Sequence, residues 1–121
     1  LSHHQRFGRF GEDVAAEHYE RSGAEILERN WRCRRGEIDL IVLDRSGRRS
    51  VLVFAEVKAR TTAVYGTGFD AVDWRKRKRL RSLAGIWLAE AKPAGLGFDG
   101  LRFDVVDVDA AGTVRVVENG F

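Results

Sequence analysis

Asp39, Glu56 and Lys58 are charged residues set in or beside two otherwise apolar runs, Ile38–Leu43 and Val51–Val57. Both runs are short, rich in Val, Ile, Leu and Phe, and separated by a polar loop holding Ser46 and Gly47, so they predict the two strands of one hairpin. Side chains alternate along a strand, which puts Glu56 and Lys58 on one face about 7 Å apart. Asp39 shares its face with Ile41 and Leu43. A register symmetric about Gly47 and Arg48 sets Leu43 against Leu52, Ile41 against Phe54, Asp39 against Glu56, and Glu37 against Lys58. Directly opposed residues share a face, with Cβ atoms about 5 Å apart. Three carboxylates and one ammonium are therefore expected in one cluster.

Two facing carboxylates repel, and more so when desolvated. A divalent hard cation offsets that repulsion, and Mg²⁺ takes one or two protein carboxylates together with water and phosphate. Lys58 can also neutralise them in a purely structural salt-bridge cluster. The pattern admits both.

The elements that must hold this cluster follow from periodicity. Residues 5–22 predict an amphipathic helix whose apolar stripe runs through Phe7, Phe10, Val14, Ala15 and His18, stopped by Gly23. Gly8 and Gly11 lower helix propensity by roughly 1 kcal/mol each; they make sense if the helix start lies close against another backbone. Glu12 stands on the edge of the stripe, where it serves either as a first-turn acid favoured by the helix dipole or as a carboxylate reaching the hairpin's charged face. Residues 24–31 predict a short strand with Ile26 buried. The basic RCRR segment after Trp31 is either a solvated loop or a phosphate contact. The segment TTAVYGTGF predicts a loop whose Gly-x-Gly is weak evidence for phosphate binding, since no third glycine follows.

A second helix is expected from Asp70 to Ala91, with Val72, Leu80, Leu83, Ala84, Trp87, Leu88 and Ala91 inward. Within it, residues 75–81 carry six cations in seven positions. Acids interspersed at i±4 would neutralise an ordinary solvated face, yet only Asp73 can do so, through Arg77. Such a run suits external anions, of which a phosphate backbone is the commonest. Lys76 falls on the inward stripe, where it either snorkels outward or points into a polar site. Leu101–Val108 and Thr113–Val117, joined by the Asp109–Gly112 turn, predict strands that complete the sheet.

The chain has 121 residues, 44% hydrophobic and 32% charged, with a net charge of +3 and a pI near 9.4. That is one globular domain spanning 1–121. No run reaches the roughly 20 apolar residues of a membrane helix, and the N-terminal residues carry no signal-peptide hydrophobic segment. The start at Leu1 reads as processed or truncated. A lone cysteine, Cys33, cannot form an internal disulfide, so a cytoplasmic location is expected. There is no Walker loop, Cys-x-x-Cys pair or Gly-x-Ser-x-Gly elbow.

The segments GRFGEDVAAEHY, NWRCRRGEIDLIV, LVFAEVKAR, the Lys76 helix and RFDVV together resemble the YraN-like family of bacterial proteins. GEIDL followed by Phe-x-Glu-Val-Lys-x-Arg is the specific part; Ala55 stands where the family more usually has Val. The resemblance implies an α/β, restriction-endonuclease-like core with a central mixed β-sheet flanked by helices, similar to archaeal Holliday junction resolvases. It further implies that Asp39, Glu56 and the Val57 carbonyl hold Mg²⁺ or Mn²⁺, and that Lys58 orients or deprotonates the attacking water. By the same resemblance Glu12 binds the metal through water or helps a second one, and Lys76 contacts the scissile phosphate. Glu37 is left outside the immediate ligand set. Arg34, Arg35, Arg60, Arg75, Lys76, Arg77, Lys78 and Arg81 are the expected nucleic-acid contacts. The expected activity is metal-dependent endonucleolytic hydrolysis of branched or structured DNA, with a homodimer suited to a four-way junction. The alternative is a non-catalytic DNA-binding or adaptor module that retains the nuclease fold.

Overall fold

A computed structural model describes residues 3–60 and 74–119, with side chains from Gly8 onward in the first stretch and from Arg77 in the second. The elements are α1 (His3–Arg21), β1 (Glu25–Cys33), β2 (Gly36–Asp44), β3 (Val51–Arg60), α2 (Trp74–Glu90), β4 (Gly100–Asp109) and β5 (Val114–Val117). The five strands form one mixed sheet in sequence order. β3 and β4 are parallel, and the other neighbouring pairs are antiparallel. This is an α/β arrangement of two helices and a mixed five-stranded sheet.

Alternation divides the core in two. Leu40, Val42, Val53, Ala55, Val106 and Val108 pack with Ala15, Ala16 and Tyr19 of α1. Ile38, Ile41, Leu52 and Phe54 pack with Leu80, Leu83, Ala84 and Trp87 of α2. Central strands covered on both faces must be apolar at nearly every position, which is why β2 and β3 read as continuous hydrophobic runs. The hairpin has the expected register, with Leu43 opposite Leu52 and Ile41 opposite Phe54.

The stripe on α1 differs from the sequence expectation. Phe10 is 39% exposed and the buried row is Ala15, Ala16 and Tyr19; His18 is exposed, and the side chain of Phe7 lies outside the described residues. Close approach decides this. A Cβ on Gly11 would lie 2.8 Å from the Ala59 Cβ of β3, so the helix meets the sheet there through Gly11, Ala15 and Ala16, with Tyr19 buried further along. Among the described residues Gly8 has no neighbour within 4 Å of such a Cβ, and the expected close packing is seen at Gly11. Gly23 ends α1 with φ +94°, and the Ala24 N–H donates to the Tyr19 carbonyl at 3.0 Å, the hydrogen bonding of a Schellman-type stop.

The start expected for the second helix, at Asp70, falls outside the described residues, as do the TTAVYGTGF segment, Val72 and Asp73. Ile26 is half-buried rather than buried, because β1 is at the edge of the described sheet, paired among the described residues only with β2. One polar feature of the core had no counterpart in the sequence analysis. Asp104 is fully buried; it accepts from the Tyr19 hydroxyl at 2.8 Å and from Arg102 Nε at 2.9 Å. Arg102 also reaches Asp44 at 3.3 Å. A buried carboxylate needs such partners to remain charged, and burial with these contacts raises the pKa of Tyr19.

Candidate metal centre and its cationic wall

The β2–β3 ladder runs from Asp44↔Val51 to Leu40↔Ala55, one rung short of Asp39 and Glu56. At that point the Val57 backbone N–H donates to Asp39 Oδ2 at 2.8 Å. The side-chain carboxylate thus satisfies a strand donor where the pairing ends. Alternation is interrupted at the same place: Ile38 and Ile41 both pack on the α2 side, with Leu40 on the α1 side. Asp39 sits at this break.

Glu12, Glu37 and Asp39 each offer one carboxylate oxygen, and these oxygens lie within 4.8 Å of one another. α1 delivers Glu12, since the Gly11–Ala59 contact presses that end of the helix onto β3. Asn30 of β1 donates from Nδ2 to Glu12 Oε1 at 3.0 Å. Glu37 pairs with Arg32 at 2.9 Å, its partner across β1 and β2. The described β2–β3 ladder ends at Leu40↔Ala55, short of the rung expected to set Glu37 against Lys58, and the ion pair seen at Glu37 is the one with Arg32. Glu37, set outside the ligand set by the sequence reading, stands within this carboxylate group.

Glu56 is not one of the three. It lines a cleft of ≈ 220 Å³ together with Gly36, Glu37, Asp39, Ala55, Arg79, Leu80 and Leu83. Its carboxylate lies 3.6 Å from Lys58 Nζ, as expected for i, i+2 residues on one strand face. Val57 turns its side chain to the α1-side core while its N–H engages Asp39.

Electrostatics follow from crowding. Burial, followed by the charges of Glu12, Glu56 and Glu37, pushes the Asp39 pKa up to about 7, against the lowering effect of the Val57 N–H. Three hard oxygen donors, one of them the crowded Asp39 carboxyl, form a donor set suited to Mg²⁺ or Mn²⁺. The residues present fit such an ion.

α2 forms one wall. Gly36 (φ +148°) lets the helix settle on the sheet: a Cβ there would lie 3.3 Å from Leu83 Cδ1 and 3.7 Å from Arg79 Cδ. Arg79, absent from the sequence-derived contacts, lines the cleft; its position one helical turn before the inward Leu83 was the signal available. Lys78 and Arg81 are exposed and Arg77 is half-buried, with its Nε the buried side-chain nitrogen lacking a hydrogen-bond partner among the described residues. Arg81 lies over the Phe103 ring, 5.6 Å from its centroid. The side chains of Arg75 and Lys76 are outside the described residues. Arg34 and Arg35 are exposed in the β1–β2 turn. Arg60 is engaged differently from a free phosphate contact: its Nε donates at 2.8 Å to Asp107, which is buried. Asp107 was not singled out from sequence, because nothing local distinguishes it from a solvent-facing strand acid.

Fold and site define an α/β protein with a carboxylate cluster at the end of its sheet and a cation-rich helix beside it. Among the described residues no helix is long and apolar enough to cross a membrane. The chain belongs to the uncharacterised protein family UPF0102, whose model matches residues 11–108, in keeping with the YraN-like resemblance. It is similar to UPF0102 protein Franean1_1156 of Parafrankia sp. (strain EAN1pec), with 55% identity over 93% of this chain and 91% of that one. A relative from Frankia casuarinae is 52% identical over 90% of this chain and 88% of its own length. One from Ectopseudomonas mendocina is 37% identical over 100% and 98%.

Proposed function

We propose that this protein is a metal-dependent endonuclease of the restriction-endonuclease-like fold, hydrolysing phosphodiester bonds in branched or structured DNA in the cytoplasm. The observation that carries the reading is the convergence of Glu12, Glu37 and Asp39 within 4.8 Å of one another, with Glu37 and Asp39 lining a cleft shared with Glu56 and Arg79. Glu12, Glu37 and Asp39 would hold Mg²⁺ or Mn²⁺, with Glu56 on the cleft wall. A divalent ion there supplies Lewis acidity toward a phosphoryl oxygen. Lys58, beside Glu56, orients the attacking water and stabilises negative charge developing on the phosphate. Water oxygen bonds to phosphorus as the bond from phosphorus to the leaving oxygen breaks. Arg79 reaches the phosphate from the helix side, and the exposed cations of α2 hold the flanking backbone. A homodimer would present two such sites to a four-way junction.

A second reading is a DNA-binding or adaptor module without turnover. It is favoured by the partners the acids already have: Asn30 on Glu12, Arg32 on Glu37 and Lys58 beside Glu56. Cleavage assays on junction, flap, single-stranded and duplex DNA with Mg²⁺ and with Mn²⁺ separate the two. Metal-dependent cutting that disappears in Asp39→Ala and Glu56→Ala establishes the enzyme. Salt-sensitive binding with no cutting under either metal establishes the module.

A further inference from the structure

Asn30 lies inside β1, yet its backbone has φ +53°. Among the described residues the other non-glycine in that region, Asn119, sits in a turn, where a left-handed residue is ordinary. Within a strand it is not, and a residue held there signals a constraint imposed by its surroundings. The β1–β2 register passes from Arg29↔Leu40 to Trp31↔Ile38, so Asn30 stands at the rung of Asp39, and that rung is missing from the pairing.

The left-handed residue has a directional consequence. In regular strand, consecutive side chains point to opposite faces. Here Arg29 pairs with Asp13 and Asn30 donates to Glu12, so two consecutive strand residues both reach α1. Asn is among the few side chains that tolerate this backbone. Its amide N–H donates to an acid carried by the helix.

We infer that Asn30 is a positioning residue that fixes the Glu12 carboxylate beside Glu37 and Asp39, so that helix and sheet present one divalent-cation site. The inference rests on the metal-centre reading above. Partners that orient a ligand from behind typically contribute 10–100-fold to metal affinity.

Mn²⁺ binding to the full chain, measured by calorimetry without DNA, tests it in four proteins: wild type, Asn30→Gly, Glu12→Ala and the double variant. Glycine adopts φ +53° without strain, so Asn30→Gly keeps the backbone and deletes only the amide. The expected result is an unchanged unfolding midpoint, Mn²⁺ affinity reduced about tenfold or more, and no further loss when Asn30→Gly is added to Glu12→Ala. A merely structural role gives additive losses in the double variant, and additivity overturns the inference. Affinity within twofold of wild type in Asn30→Gly also overturns it, as does loss of folding in that variant. Wild type that takes up no Mn²⁺ removes the metal-centre reading, and this inference with it; equal affinities remove the inference alone.

Discussion

Asp39 and Val57 are joined by a 2.8 Å hydrogen bond from backbone N–H to carboxylate, immediately beyond the last described rung between β2 and β3. Where the strands cease to pair, a buried N–H would be left without an acceptor, at a cost of about 1–3 kcal/mol. Asp39 fills that role and is thereby fixed in orientation. The same residue is the acid most crowded by other acids, so one side chain both closes the sheet and opens the candidate site.

Burial and then crowding by other acids set a pH dependence. The folded-state pKa of Asp39, raised to about 7, exceeds its unfolded value, so between about pH 4 and 7 the folded state binds the extra proton. Its contribution to stability is present in full below the unfolded pKa and is lost as pH rises through about 7. Asp39→Asn keeps an acceptor for the Val57 N–H and removes the charge. Metal-free Asp39→Asn should match wild type near pH 4 and exceed it by on the order of 1–3 kcal/mol near pH 8. Urea unfolding at the two pH values decides it, and equal pH profiles for the two proteins would reject the crowding.

Divalent cation should relieve the same repulsion. Mg²⁺ or Mn²⁺ at about 100 times its Kd should stabilise the fold by about 2.7 kcal/mol, reversibly on chelation. The gain should shrink at pH 5, where protons compete for Asp39, and nearly vanish in Glu12→Ala with Asp39→Asn. Thermal unfolding with and without chelator measures it. A gain as large at pH 5 as at pH 8 would place the ion elsewhere.

Two glycines in one helix should respond with opposite sign. Gly11→Ala places a Cβ 2.8 Å from that of Ala59 and should destabilise by about 1–3 kcal/mol, with Ala59→Gly restoring part of the loss. Gly8→Ala meets nothing within 4 Å among the described residues and should stabilise by roughly 0.5–1 kcal/mol through helix propensity. Denaturant midpoints of the three variants check the contrast. Equal effects at positions 8 and 11 would refute the close contact.

Tyr19→Phe removes the 2.8 Å donor to fully buried Asp104. A hydrogen bond to a buried charge is worth about 1.5–3 kcal/mol. Asp104→Ala leaves Arg102 without its Nε partner and should cost more, about 3–5 kcal/mol. A double-mutant cycle on folding stability should return a coupling energy between positions 19 and 104 well above zero; additivity would mean that the hydroxyl contributes nothing through Asp104.

Neutralising Arg77, Lys78 and Arg81 to Gln should weaken DNA binding. It should also flatten the plot of log affinity against log salt by up to roughly 0.9 per lost phosphate contact. An unchanged slope would exclude α2 as the docking surface.

The hairpin was legible because its information is local. Alternation and a short loop determine that Leu43 meets Leu52 and Ile41 meets Phe54, with no reference to the rest of the chain. The inward row of α2, Leu80, Leu83, Ala84 and Trp87, was legible for the same reason, as a 3.6-residue period. The contact row of α1 was legible only in part: Ala15 was expected, but choosing Ala16 and Tyr19 over Phe10 and His18 depends on which way the helix turns when Gly11 meets Ala59. Tertiary structure alone brought Glu12 to Asp39, turned Glu37 toward Arg32, and buried Asp104 and Asp107 with their arginines. Each of those outcomes arises where a regular period is broken or where distant segments meet. At Asn30 and Asp39 the strand pairing lapses, and a side chain's direction there is set by the neighbours it finds, not by its place in a repeat.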